Sequence, residues 1–146
     1  MSELSDMYFD KNIDFAIKQE EASHQYNSPT PRFSFMMCVY NDTTLLNSAI
    51  GSLLKQSYKS WELFILDNSD KNEEAWHMIQ NAMEYDKRIK GMKSEKNVGW
   101  SKGASICLEH IRGEYTTFLS ADDILYTDAL NKLNTVIEKH SPDRKS

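Results

Sequence analysis

From Phe33 to Ile137 the chain alternates short β-branched and aromatic runs with longer stretches of helical period. That alternation restricts the fold more than any other feature of the sequence. Phe33-Ser34-Phe35-Met36-Met37-Cys38-Val39 reads as a strand. Asp42 or Thr43 is placed to cap a helix on which Leu45, Leu46, Ala49, Ile50, Leu53 and Leu54 form one wide apolar face. Trp61 to Leu66 is a second strand, ending at Asp67-Asn68-Ser69. A second helix carries Ala75, Ile79, Ala82 and Met83, and Ile89 to Lys93 is a weaker third strand. A third helix beginning near Ser101 puts Ala104, Cys107, Leu108 and Ile111 on one side, with Gly113 expected to stop it. Tyr115 to Leu119 is a fourth, buried strand, and Leu130, Leu133 and Ile137 mark a last helix. Strands alternating with helices imply right-handed crossovers, hence an α/β fold with a mainly parallel sheet and flanking helices.

Ahead of this unit, residues 1–30 read as a leader. Phe9, Ile13, Ala16 and Ile17 fall at helical spacing between Tyr8 and Tyr26, and Asn27-Ser28-Pro29-Thr30-Pro31 breaks the pattern. The domain is expected over 31–146. At 146 residues and 40% hydrophobic content the chain can bury a single core. A net charge of −5 argues against a nucleic-acid partner, because no basic stripe exists to displace counterions. The longest apolar stretch, Phe33 to Tyr40, has eight residues, whereas a membrane span needs about 20. The Met-Ser-Glu-Leu-Ser-Asp start has no basic flank or apolar core of a secretory signal. Cys38 in a strand and Cys107 on an apolar helix face read as reduced, buried thiols of a cytoplasmic protein. His24, His77, His110 and His140 show no metal-ligand spacing and are expected at the surface. Trp61 and Trp76 are expected in the core, Trp100 as a packing lid, and Lys87, Lys90, Lys93, Lys96 and Lys102 on a solvated face.

The polar residues are informative by position. Strand one ends in Tyr40-Asn41-Asp42, strand two in Asp67-Asn68-Ser69, and strand four in Ser120-Ala121-Asp122-Asp123, while Asn97-Val98-Gly99 follows strand three. In a parallel sheet all four groups share the carboxyl rim, where open α/β sheets bind ligands. The Asp122-Asp123 pair suits Mg²⁺ or Mn²⁺, which needs few protein carboxylates because substrate phosphates complete its shell. No glycine-rich fingerprint follows strand one, and Asn97 to Gly103 lacks a P-loop ending. Phosphates are therefore expected on a cation rather than in a glycine cradle.

The combined order of Val39-Tyr40-Asn41, Leu53-Leu54-Lys55-Gln56-Ser57-Tyr58, Glu62 to Ser69, Asn97-Val98-Gly99, Arg112-Gly113-Glu114-Tyr115 and Leu119-Ser120-Ala121-Asp122-Asp123 resembles a family 2 glycosyltransferase from about Pro31 to His140. The resemblance implies the GT-A fold of nucleotide-diphospho-sugar transferases, Rossmann-like, with only the donor-binding part present and the domain incomplete at its carboxyl side. It implies that Tyr40 and Asn41 lie beside a nucleotide, that Asp67 reads the base, commonly uracil N3–H, and that Asn97, Gly99 and Lys102 border nucleotide or sugar. Asp122 matches the metal-binding end of the family's acidic motif, with Asp123 beside it as a second metal ligand. Ser120 stands where the family has its first acid and can hydrogen-bond a ribose hydroxyl. Ala104 and Ser105 replace the family's Arg and Asn, and no residue matches its catalytic base.

The function so implied is transfer of a sugar from a nucleoside-diphosphate sugar, a UDP-sugar foremost, to a hydroxyl of a saccharide or lipid-linked acceptor. Mn²⁺ or Mg²⁺ would support the diphosphate. The implied setting is polysaccharide biosynthesis in the cytoplasm, or peripherally at the inner face of the membrane. The alternative is a truncated or degenerate module of this fold that binds nucleotide or a partner chain without catalysis. A homo-oligomer contact or a partner chain would then cover the exposed sheet edge.

Overall fold

The computed structural model of the protein describes residues 30–140, so the expected leader helix lies outside the described residues. Four strands and four α-helices alternate among those residues: β1 Phe33–Val39, α1 Leu46–Leu54, β2 Trp61–Asp67, α2 Glu74–Tyr85, β3 Ile89–Lys93, α3 Gly99–Leu108, β4 Tyr115–Phe118 and α4 Ala129–His140. The strands form one sheet in the order β3-β2-β1-β4. Every pairing is parallel, with Phe33 opposite both Trp61 and Tyr115, and Leu63 opposite Ile89.

Both faces of β1 and β2 are covered, which is why the two strands read as near-continuous apolar runs. On one face Phe33, Phe35, Met37, Trp61, Leu63 and Ile65 pack with residues of α1 and α2, including Leu46, Leu53, Trp76 and Ile79. On the other, Met36, Phe64 and Leu66 pack with Cys107 of α3. Each large side chain buried in this way contributes roughly 1.5–3 kcal/mol. Gly103 lets α3 lie close to the sheet, since a Cβ there would meet the Cys38 Sγ at 3.2 Å. The two thiols are unoxidised neighbours. A hydrogen bond with Cys107 lowers the Cys38 thiol below its ordinary pKa and pushes that of Cys107 up. Among the described residues no helix is long and apolar enough to cross a membrane.

Strand order turns back once. The chain steps outward from β1 to β2 to β3 with α1 and α2 on one face, then returns through α3 on the opposite face to place β4 on the far side of β1. The gap between the carboxyl ends of β1 and β4 is thus the point of reversal, the position at which such sheets bind ligands.

Several expectations change. Among the described residues β4 pairs with β1 alone and sits at an edge, and Thr116, Thr117 and Phe118 are exposed rather than buried. α4 buries only Leu130 along its length, and Leu133 and Val136 are exposed. α1 begins at Leu46 with no side-chain cap; Asp42 instead accepts the Thr44 N–H at 3.0 Å within the preceding turn. α3 ends at Leu108, ahead of Gly113. That glycine is required by close approach, because a Cβ would collide with the Ser34 Oγ. The Gly113 N–H donates to Ser34 Oγ at 2.7 Å, while Glu62 accepts from Ser34 Oγ and from the Arg112 N–H. This network ties the α3–β4 loop to β1 and β2 at the amino end of the sheet. His110 is not a surface residue: it is buried and stacks on Phe64 with ring centroids 4.4 Å apart.

Candidate functional site

At the β1–β2 end of the rim, the Val39 carbonyl accepts the Asn68 N–H at 2.7 Å, which holds the two strand exits together. Asp67 follows the alternation of β2 onto the face covered by α1 and α2, so its carboxylate is drawn below the rim and has no exposed surface. Its Oδ1 accepts the Ser69 N–H at 2.9 Å, whereas Oδ2 has no hydrogen-bond partner. Lys93, in register with Asp67 on β3, brings its Nζ to 3.6 Å from that oxygen and 3.9 Å from Glu73 Oε1. Lys93 therefore departs from the solvated lysine face expected of it. The pairing was legible in one respect only, namely that both residues end their strands.

Asn41 adopts φ 60, the left-handed region in which Asn is tolerated better than most residues. The turn lets its side chain clasp the loop after β2. Asn41 Oδ1 accepts the N–H groups of Asp70 and Lys71, each at 3.1 Å, and Nδ2 donates to Asp70 Oδ1 at 3.0 Å. The Asn41 N–H donates to Ser69 Oγ at 2.8 Å. Asn41 thus shapes the rim through the 69–71 loop. Tyr40 is exposed beside it, with its hydroxyl 3.4 Å from Asp70 Oδ2. Asp70, which the sequence did not single out, anchors both.

Asn97 accepts the Gly99 N–H at 2.9 Å, and Gly99, at φ +83, opens α3. Asn97, Gly99 and Lys102 are all exposed. Trp100 is no lid over the core; it is exposed and its ring lies 4.5 Å from that of Phe118.

The acidic turn closes on itself. Asp123 Oδ2 accepts the Ser120 N–H at 3.1 Å, the Asp123 N–H donates to the Ser120 carbonyl at 3.0 Å, and Ser120 Oγ donates to Asp122 Oδ1 at 2.5 Å. Asp122 and Asp123 stay exposed. Among the described residues no group of three or more Asp, Glu, His or Cys gathers for a metal, so Asp67 does not join the pair as a ligand. Two exposed hard-oxygen donors without a soft ligand fit Mg²⁺ or Mn²⁺ with waters and substrate phosphates completing the shell. The segment after this turn is positioned by Gln56, which is buried: its Nε2 donates to the Tyr126 carbonyl at 2.6 Å and its Oε1 accepts the Leu130 N–H at 3.0 Å.

The profile of glycosyl transferase family 2 matches residues 34–143. The chain belongs to glycosyl transferase family 2. It is 37% identical over 111 residues to an uncharacterized glycosyltransferase of Haemophilus influenzae, an alignment covering 75% of this chain and 44% of that protein. The family 2 chain therefore spans less than half the length of that relative. Its fold is shared by S. aureus TarS 1-349 in complex with UDP-GlcNAc, with a TM-score of 0.63 at 22% identity, over 75% of this chain and 32% of that one. It is also shared by a mannosyltransferase of Pyrobaculum calidifontis in complex with GDP-Man and Mn²⁺, with a TM-score of 0.61 at 16% identity, over 83% and 38%.

In this family 2 chain Tyr40, Asn41, Ser120 and Asp122 follow β1 and β4 at their carboxyl ends, Asp67 ends β2 with its carboxylate buried, and Asn97 and Gly99 stand at the opening of α3. A separate open cleft is present. About 530 Å³ opens between α1 and the segment after the acidic turn, lined in part by Asn47, Ser48, Lys55, Ile124 and Leu125. It contains none of the rim residues, so the chemistry of the strand ends, rather than enclosed volume, marks the candidate site.

Proposed function

We propose that this chain forms the donor site of a glycosyltransferase, binding a nucleoside-diphosphate sugar across the carboxyl rim from β2 to β4. One observation carries the reading: an exposed acidic turn and an oxygen of Asp67 without a hydrogen bond stand on either side of the sheet's point of reversal. The buried Asp67 Oδ2 would accept an N–H from the base, uracil N3–H being the donor that suits it, once the base approaches past Lys93. Tyr40 offers an exposed ring beside the base, and Asn41 holds the 69–71 loop that borders it. Ser120 Oγ would meet a ribose hydroxyl. Asp122 and Asp123 would hold Mn²⁺ or Mg²⁺, which when bound supplies positive charge to stabilise the departing diphosphate. The TarS complex with UDP-GlcNAc and the mannosyltransferase complex with GDP-Man and Mn²⁺ support this class of ligand. The acceptor would be a saccharide or lipid-linked hydroxyl, met in the cytoplasm or at the inner face of the membrane, and the setting polysaccharide assembly.

Calorimetry with UDP tests the reading. Binding should strengthen on adding Mn²⁺, and Asp122→Ala should remove that gain. Equal binding with and without Mn²⁺, unaltered in the variant, would count against it.

A second reading is favoured by one observation. Among the described residues β4 pairs only with β1, and Leu133 and Val136 of α4 are exposed. Such an edge suits a module that binds nucleotide, or pairs with a second copy or a partner chain, without catalysis. Sugar transfer or sugar-nucleotide hydrolysis by the purified chain would exclude it.

A further inference from the structure

Of the three tryptophans in the sequence, Trp61 and Trp76 have 1% and 0% of their surface exposed, whereas Trp100 has 61%. Trp100 leans on Phe118 with ring centroids 4.5 Å apart and planes tilted by 41°. Phe118 is itself 38% exposed. Two aromatic rings in contact, both open to solvent, form a surface that gains by being covered. The fold puts them in a particular place. Trp100 lies in the first turn of α3, directly after Asn97-Val98-Gly99, and Phe118 ends β4 two residues before Ser120.

The order of groups along the rim selects the occupant. This step rests on the donor-site reading above. A nucleoside-diphosphate sugar carries base, diphosphate and sugar in line. With its base at Asp67 on β2 and its diphosphate at the turn after β4, the ligand has crossed β1, two strand spacings of about 4.8 Å each. The sugar then falls on the β4 side of the rim, where Phe118 and Trp100 stand. A pyranose ring suits this surface. Its C–H groups carry slight positive charge toward the negative face of an aromatic ring, while its hydroxyls remain available to polar groups at the edge. Asn97 and Lys102, both exposed on the same turn as Trp100, supply such groups. A small number of polar groups around an aromatic wall is the usual composition of a small-molecule site.

We propose that Trp100 and Phe118 form a stacking platform for the sugar ring of the donor.

The chain contains its own reporter, because the other two tryptophans are shielded from an aqueous quencher. Acrylamide quenching of the full chain, with UDP, with UDP-GlcNAc and with neither, reads Trp100 directly. In the free chain Trp100 should quench readily, UDP should leave that unchanged, and UDP-GlcNAc should protect it. UDP-GlcNAc should also bind more tightly than UDP by about fivefold, the scale of one aromatic contact. Trp100→Ala should lose this gain while its UDP affinity holds, and Trp100→Phe should keep part of it. An unaltered circular dichroism spectrum in both variants guards against misfolding. If UDP binds but UDP-GlcNAc neither protects Trp100 nor binds more tightly, the platform is wrong and the donor site stands. If neither nucleotide binds, the donor-site reading fails and the platform falls with it. A Trp100 already shielded in the free chain would show that protein covers the pair and would also overturn the proposal.

Discussion

Lys93 Nζ stands 3.6 Å from the Oδ2 of Asp67, a carboxylate with no exposed surface. The parallel register brings the two residues side by side at the ends of β3 and β2. Removing one partner of a buried pair leaves the other uncompensated, and the loss commonly exceeds what the intact pair contributes. Lys93→Met should therefore destabilise the fold by about 3 kcal/mol. Asp67→Asn combined with Lys93→Met should recover much of that loss. Urea denaturation of the single and double variants measures the coupling. Strictly additive losses would show that the two groups act independently.

At Asn41, conformation and contacts make separable contributions. Gly at this position keeps the left-handed backbone and loses the side-chain clasp on residues 70 and 71, while Ala loses both. Asn41→Ala should thus be less stable than Asn41→Gly by about 1 kcal/mol. Both variants should weaken nucleotide binding by releasing the 69–71 loop. Thermal melts of the pair check the ordering, and the reverse order would remove the role given to φ 60.

The Arg88 guanidinium donates to Asp86 Oδ1 from Nε at 3.0 Å and to Oδ2 from Nη2 at 2.6 Å, and lies 3.8 Å over the Trp61 ring. These hydrogen bonds hold the Asp86 carboxyl below its ordinary pKa, against the opposing effect of burial. A carboxyl whose folded-state pKa is depressed stabilises the fold fully above its unfolded value. That contribution is lost as pH falls through the folded value. Stability of the wild-type chain should therefore decline from about pH 5 downward more steeply than that of Asp86→Asn. Melting temperatures at neutral and acidic pH compare the two. Parallel profiles would mean that Asp86 contributes nothing pH-dependent.

The limits of β1, Phe33–Val39, and β3, Ile89–Lys93, were readable residue for residue, because local composition and the flanking turn residues determine them. The four polar groups on one rim followed from strand alternation alone. Features that depend on which elements become neighbours were not readable. β4 is exposed because the sheet reverses and leaves it at an edge among the described residues, and no property of Tyr115-Thr116-Thr117-Phe118 distinguishes that edge from a centre. Gly113 looked like a helix stop, yet its requirement comes from Ser34, far away in the sequence. His110 looked like a surface residue until Phe64 supplied a ring to stack on. Trp100 looked like a lid, but the segment it contacts is itself exposed. Lys93 belonged to a lysine-rich stretch, and only the register with β2 turns it inward toward Asp67.

Backbone amide spectra of the isotope-labelled chain, recorded with UDP and then with substoichiometric Mn²⁺ in place of Mg²⁺, test the rim most directly. UDP should shift the amides of Tyr40, Asn41, Asp67 to Asp70, Asn97 to Trp100 and Ser120 to Asp123. Paramagnetic broadening by Mn²⁺ should be strongest at Asp122 and Asp123. Shifts confined to the opposite end of the sheet, around Ser34, Glu62 and Gly113, or broadening centred away from the acidic turn, would contradict a donor site at the reversal between β1 and β4.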